Sequence, residues 1–389
     1  MGISYNVLSV PSESVHEAHI SALQPKWILY KDNFSYAVKI ARMLPKTVVI
    51  HRDWSGYLGD DDLPRKVTPQ AWLDGQRKLG SLNIWRYCLN ESGFDDRVLA
   101  WINSAIEINA QSNEPLHLVI GNFSAGTPNP DAWKTPAAVK LLHYLDMYRQ
   151  WLVLGLHEYF AAVPTSGYYV GYPSNANIAS NPDDASGSKG LNLIPMDKWP
   201  KDTRGITLWH CGRFRFLLQA CDSLGIPYPR IVVTEHGTDD LSDIKPWLDT
   251  LQKTPPYPNI RGWRSLERQW QAWYDSGIDL TYYNMLTYLD AAVYAGSPVE
   301  AQLIFAWGDS GGWEQFKVDN APELQQRLAM YAGAPPPPVV TPPEPPPQNQ
   351  LDTAALLTLV SDVEDELIYL VGSLSSMQKT ISIIKDALK

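Results

Sequence analysis

A chain of 389 residues, 44% hydrophobic and 19% charged, has the composition of a folded protein with a large core, which excludes a disordered or fibrous chain. Its net charge of −10, with no stripe of Lys or Arg, excludes a nucleic-acid backbone as partner. Three scattered cysteines, Cys88, Cys211 and Cys221, with no CxxC pair, exclude a disulfide framework and a cysteine metal site and are expected as buried thiols.

Short apolar runs that read as strands fall at 5–10, 27–31, 47–52, 83–91, 116–122, 152–159, 230–235 and 302–308. Between them lie amphipathic segments, among them 13–23, 95–109, 135–150, 207–225 and 282–295. Strand followed by helix, eight times, with strands that are apolar on both faces, predicts an α/β fold: a closed parallel (β/α)8 TIM barrel over residues 1–332. An open doubly wound sheet would call for a GxGxxG turn after a strand, and the sequence has none. The start, MGISYNVLSV, lacks a basic segment before an apolar one, and no stretch approaches the ~20 apolar residues of a membrane span. The expectation is a soluble protein made in the cytoplasm, with no membrane partner.

One connection is abnormally long. Residues 160–205, rich in Gly, Ser, Asn, Pro and Tyr, leave the carboxyl end of the sixth strand and are a candidate lid or subsite wall. Further on, GAPPPPVVTPPEPPPQNQ at 333–350 predicts an extended linker. After it Leu356, Val360, Val363, Leu367, Leu370, Leu374, Met377, Ile381, Ile384 and Leu388 alternate in steps of four and three. This heptad seam predicts a coiled-coil helix over 351–389 and a homo-oligomer of two, three or four strands. A single amphipathic helix folded back on the barrel is the alternative.

In such a barrel the residues at the strand carboxyl ends gather at one face. Here they are Arg52 and Asp53, Asn90 and Glu91, Asn122, His157, Glu158 and Tyr159, Glu235 and His236, and Trp307 with Asp309. Strands four and seven stand on roughly opposite sides of the ring, so Glu91 and Glu235 are expected to face each other. Two facing carboxyl groups about 5–5.5 Å apart suit double displacement on a glycoside. Glu235 would attack the anomeric carbon, and Glu91, held protonated by its surroundings, would donate to the leaving oxygen. Glu158 is the rival acid/base. Its place beside strand seven suits it better to binding hydroxyls or tuning the nucleophile, and Arg52, His157 and Tyr159 join it as candidate substrate contacts. HEYFA lacks the second histidine of HExxH, so no metal and no cofactor is expected. The 15 Trp and 20 Tyr add aromatic surface of the kind that stacks on sugars.

The Asn-Glu pair ending strand four and the Glu ending strand seven resemble the clan A retaining glycoside hydrolases. GNFSAG, LGLHEY, VVTEHG and IFAWGDSGGWEQFKV resemble glycosidase-like proteins of that clan from bacteria and phages. The likeness implies that Asn90 hydrogen-bonds the hydroxyl next to the reacting carbon and that Trp307 floors the subsite. Strand four continues CLNESGF, where the family pattern continues Asn-Glu-Pro. NES at 90–92 and NFS at 33–35 and 122–124 are glycosylation sequons. A glycan on Asn90 would plug the pocket, so a bacterial or phage origin is expected, with carriage on a particle or release by lysis as the route to a glycan. Two functions stand: a retaining hydrolase of a polysaccharide, arrayed by its tail, or a catalytically idle carbohydrate-binding or structural component of a larger assembly such as a phage.

Overall fold

The computed structural model describes residues 2–53, 63–80, 83–91, 93–124, 128, 130–160, 164–165, 168–169, 211–212, 214–238, 262–267, 277–308 and 312–332, and every structural statement below concerns these. The chain divides into two units, Met1–Pro337 and Pro338–Lys389. Most of the 160–205 connection, Asp309, the linker at 333–350 and the heptad segment 351–389 lie outside the described residues.

Eight strands form a closed barrel in sequential order: β1 (Ile3–Val7), β2 (Trp27–Lys31), β3 (Val48–Arg52), β4 (Trp85–Cys88), β5 (Leu118–Phe123), β6 (Leu152–Phe160), β7 (Ile231–Thr238) and β8 (Val299–Trp307). All eight pairings are parallel, β8 closing on β1. The helices alternate with them: α1 (Glu13–Leu23), α2 (Phe34–Met43), α3 (Pro69–Lys78), α4 (Asp96–Ala110), α5 (Pro136–Met147), α6 (Phe214–Leu224), α7 (Ile278–Tyr288) and α8 (Pro322–Tyr331). The two-residue strands Pro164–Thr165 and Tyr168–Tyr169 pair separately, antiparallel. No described helix is long and apolar enough to cross a membrane.

Local chemistry explains the helix ends. Asp95 accepts a hydrogen bond from the Val98 amide, satisfying one of the free amides that begin α4. Val98, Leu99, Ile102, Ala105, Ile106 and Asn109 then recur at helical spacing and are buried against the sheet. Thr68 caps α3 in the same way, with Pro69 in its first turn, where a missing N–H costs nothing.

Two cores result. A small one fills the cylinder with Trp27, Leu29, Ile50, Trp85, Tyr87, Val119, Val153, Val232, Ala301 and Leu303, and a larger shell lies between strands and helices. At the amino ends of the strands the cylinder is shut. The Arg230 guanidinium lies 5.7 Å from the Trp27 ring and 5.4 Å from that of Trp85, and is paired with Glu300 at 2.5 Å. Such cation–π contacts hold a charge over an apolar plug while its head stays partnered.

At the opposite rim, strict alternation fails on three strands. Against β6, His157 pairs with Glu235 but Leu156 with Val233, so β7 carries one extra residue, Thr234. Likewise Gly121 pairs with Gly155 but Phe123 with Leu156, which makes Asn122 an extra residue in β5. Asn6 pairs with Phe305 and Val7 with Trp307, leaving Ala306 extra in β8. An added residue reverses the face of everything beyond it. Val232 faces the cylinder, so an unbroken β7 would turn Glu235 outward; the bulge turns it in.

Candidate active site

Strand four ends at Cys88, earlier than expected, because Leu89 (φ 70°) and Glu91 (φ 46°) adopt left-handed backbone that no strand continues. The turn folds Asn90 and Glu91 over the mouth. The Glu91 amide donates to the Asn122 carbonyl at 3.0 Å, and the Ser124 hydroxyl to the Glu91 carbonyl at 3.1 Å.

Opposite lies Glu235, 6% exposed. Arg52 Nη1 donates to its Oε1 at 2.9 Å and the Tyr159 hydroxyl to its Oε2 at 2.7 Å. Strong donors on both oxygens offset much of the cost of burying this side chain. His157 stands between the glutamates, its Nδ1 3.4 Å from Glu235 Oε2 and 3.8 Å from Glu91 Oε1. One atom from each of Glu91, His157 and Glu235 lies within 4.8 Å of the other two. Tyr87 donates to Asn90 Oδ1 at 2.9 Å, so its oxygen accepts from His157 Nε2, also at 2.9 Å, and Nε2 carries a proton. The Arg52 guanidinium lies 5.1 Å from the Tyr87 ring.

These contacts bring Arg52, Asn90, Glu91, His157, Tyr159 and Glu235 into one cluster. One expectation about its protonation is overturned. His157 holds the Glu91 carboxyl below the usual carboxylate range, the Arg52 charge adds to this, and burial only partly opposes it, the reverse of the upward shift expected of a general acid. Glu91, His157 and Glu235 are also the donors that a divalent cation would use. The Arg52 guanidinium on Glu235 repels such an ion and already occupies one of its oxygens.

Two predicted contacts lie elsewhere. Glu158 sits on β6 between His157 and Tyr159, so alternation points it out of the cylinder. There, 1% exposed, it accepts from the Gly212 and Phe214 amides and from the Tyr294 hydroxyl, all at 2.8 Å. It caps the start of α6 and is neither a rival acid/base nor a sugar contact. Glu158→Ala should cost roughly 3–5 kcal/mol of stability, since it strips three donors of a buried anion. Urea unfolding measures this, and unchanged stability would reject the capping role. His236 also faces outward, its Nδ1 on the Glu158 carbonyl at 2.8 Å. Trp307, 1% exposed, is turned out by the extra Ala306; its ring meets Tyr5, His16 and His19 at 4.9–5.2 Å in the layer beneath α1. It belongs to the core and not to a subsite floor.

Tyr87 was missed as a site residue. Its signal was present: in 83–91 it lies two residues after Trp85, on the same inward face.

The chain matches no protein-family model and no curated protein. Among solved structures it is similar to the catalytic domain of a mannanase from Streptomyces sp. SirexAA-E, at 12% identity and a TM-score of 0.38, covering 82% of this chain and 79% of that one. It is similar also to N2152 from Neocallimastix frontalis (12%, 0.40, covering 85% and 67%). A third is the beta-mannanase from Streptomyces thermolilacinus with mannohexaose (11%, 0.37, covering 82% and 82%). Likeness at this level leaves the chemistry to be argued from the geometry of the cluster.

Proposed function

We propose that the chain is a retaining glycoside hydrolase of a polysaccharide, with Glu235 as nucleophile and Glu91 as general acid and then base. The observation that carries this reading is that one carboxylate oxygen of Glu91 and one of Glu235 lie within 4.8 Å of each other at the barrel mouth. An approach this close accords with the ~5–5.5 Å carboxyl separation of double displacement.

In the first step Glu235 Oε attacks the anomeric carbon, the glycosidic C–O bond breaks, and the leaving oxygen takes the proton of Glu91. In the second, Glu91 takes a proton from water, whose oxygen attacks the same carbon and releases Glu235 from the ester. Arg52 and Tyr159 hold the carboxylate that attacks and later leaves, and Asn90, fixed by Tyr87, offers its amide to a hydroxyl. The Glu91 side chain is 56% exposed, so a sugar seated over it removes water and moves its carboxyl toward the protonated form. The downward shift of the Glu91 carboxyl is the one observation that favours an idle, carbohydrate-binding barrel instead.

A panel of bacterial and plant polysaccharides, a β-mannan among them, tests this together with an activated 2-fluoro glycoside. Hydrolysis with retained anomeric configuration and a fluoroglycosyl ester on Glu235 are expected. Binding of a glycan with neither product nor ester would establish the idle reading.

The heptad seam at 351–389 is proposed to join several chains and so array their clefts on a polymeric substrate. Sedimentation of the intact chain should give a mass two to four times that of one protomer, and a chain ending at Gly333 should give a monomer. Two monomers would refute it.

A further inference from the structure

Beneath the paired glutamates the cylinder holds a second polar layer, Asn6, Asn122 and Thr234, each 0% exposed. Two of the three are the extra residues of their strands, Asn122 in β5 and Thr234 in β7. The Asn122 side chain touches both irregularities that place the glutamates. Its Nδ2 donates to the carbonyls of Cys88 and Leu89 at 3.1 Å, where β4 breaks into left-handed backbone, and to that of Val119 at 3.3 Å. Its Oδ1 accepts the Thr234 hydroxyl at 2.9 Å, at the bulge that turns Glu235 inward. Its own carbonyl receives the Glu91 amide. From the far side, Asn6 Nδ2 donates to the Thr234 carbonyl at 3.2 Å.

The layer is built with little room. A Cβ on Gly155 would lie 1.9 Å from Asn122 Oδ1, so glycine is what lets the amide cross in front of β6. Asn122 itself has φ 42°, a left-handed conformation that asparagine tolerates better than most residues. A side chain wholly out of water, with both ends of its amide engaged, has one orientation.

We propose that Asn122 is a positioning residue that sets the separation of the Glu91 and Glu235 carboxyl groups, acting through the Leu89 carbonyl on one side and the Thr234 hydroxyl on the other. This rests on the reading of those glutamates as the reacting pair. It touches no substrate. Its work is to lock two bulges to each other, so that the turn after β4 and the end of β7 move as one piece, and a misplacement of about 1 Å there costs roughly 100-fold in rate.

The test uses the full chain. Thr234→Val removes the hydroxyl and keeps the volume, Thr234→Ser keeps the hydroxyl, and Asn122→Gly keeps the left-handed backbone and removes the amide. The Glu91 and Glu235 carboxyl carbons are titrated by 13C NMR, with Arg52, Tyr87, His157 and Tyr159, the groups that face them, left intact. Kinetics are measured on a hydrolysed glycan. Thr234→Val and Asn122→Gly should shift both titrations and lower kcat about 10- to 100-fold with KM within about twofold. Thr234→Ser should restore both. Wild-type titrations in folded Thr234→Val or Asn122→Gly would overturn the proposal. So would loss of fold in all three variants, which would make the layer purely structural. If the wild type cleaves no glycan the hydrolase reading fails, while the titrations still decide this one.

Discussion

Glu235→Gln should reduce kcat/KM on any cleaved glycan by on the order of 10⁴-fold or more, because a neutral amide cannot form the glycosyl ester and the second step has nothing to act on. The effect belongs to kcat, since the amide still occupies the space of the carboxylate and still offers an oxygen to Tyr159 or Arg52. Stability should fall as well, by about 1–3 kcal/mol. Arg52 is 3% exposed and would lose the charge that Glu235 places 2.9 Å away, though an oxygen acceptor would remain. Steady-state kinetics beside a urea titration separates the two losses. Near-normal turnover in a folded Glu235→Gln protein would remove this residue from the reaction.

The second large effect is on pH stability. Burial holds four histidines neutral: His16 is lowered to about 3, with help from His19, while His19, His51 and His236 are each lowered to about 4, His51 partly by the charge of Arg86. In the unfolded chain each would titrate near 6.5. Below that value the unfolded state takes up protons that the folded state refuses, so stability is full above about pH 6.5 and is lost as pH falls toward 4. At pH 5 the cost is about 2 kcal/mol for each histidine and about 8 kcal/mol for the four, comparable to the whole stability of an ordinary domain. Thermal melts at half-unit steps from pH 7.5 to 5 should show a steep and continuous fall. A melting temperature constant to pH 5 would show that these imidazoles are reached by protons in the native state.

Much of the fold was legible because the strands of a parallel barrel are covered on both faces and so read as unbroken apolar runs. β2 and α1 fall where their patterns put them. What was hidden is the phase of side chains at the rim. Alternation from Val232 would have sent Glu235 outward and His236 inward, and only an extra residue at Thr234, invisible in composition, turns Glu235 in and His236 out. The same kind of insertion carries Trp307 out of the mouth. Glu158 is a different matter: its neighbours His157 and Tyr159 share the inward face, and that alone was reason to place it outside. Asn122 could be noticed as a polar residue after a strand, but its bond to Thr234 spans 112 positions of sequence and needs the closed ring to exist.

The plug of Arg230, Trp27 and Trp85 makes the cylinder a blind alley. A polymer cannot thread through it as a cord through a bead; it has to lie across the rim or dip one end in and withdraw. Under the proposed reading, whatever is cut leaves by the same rim at which it arrived.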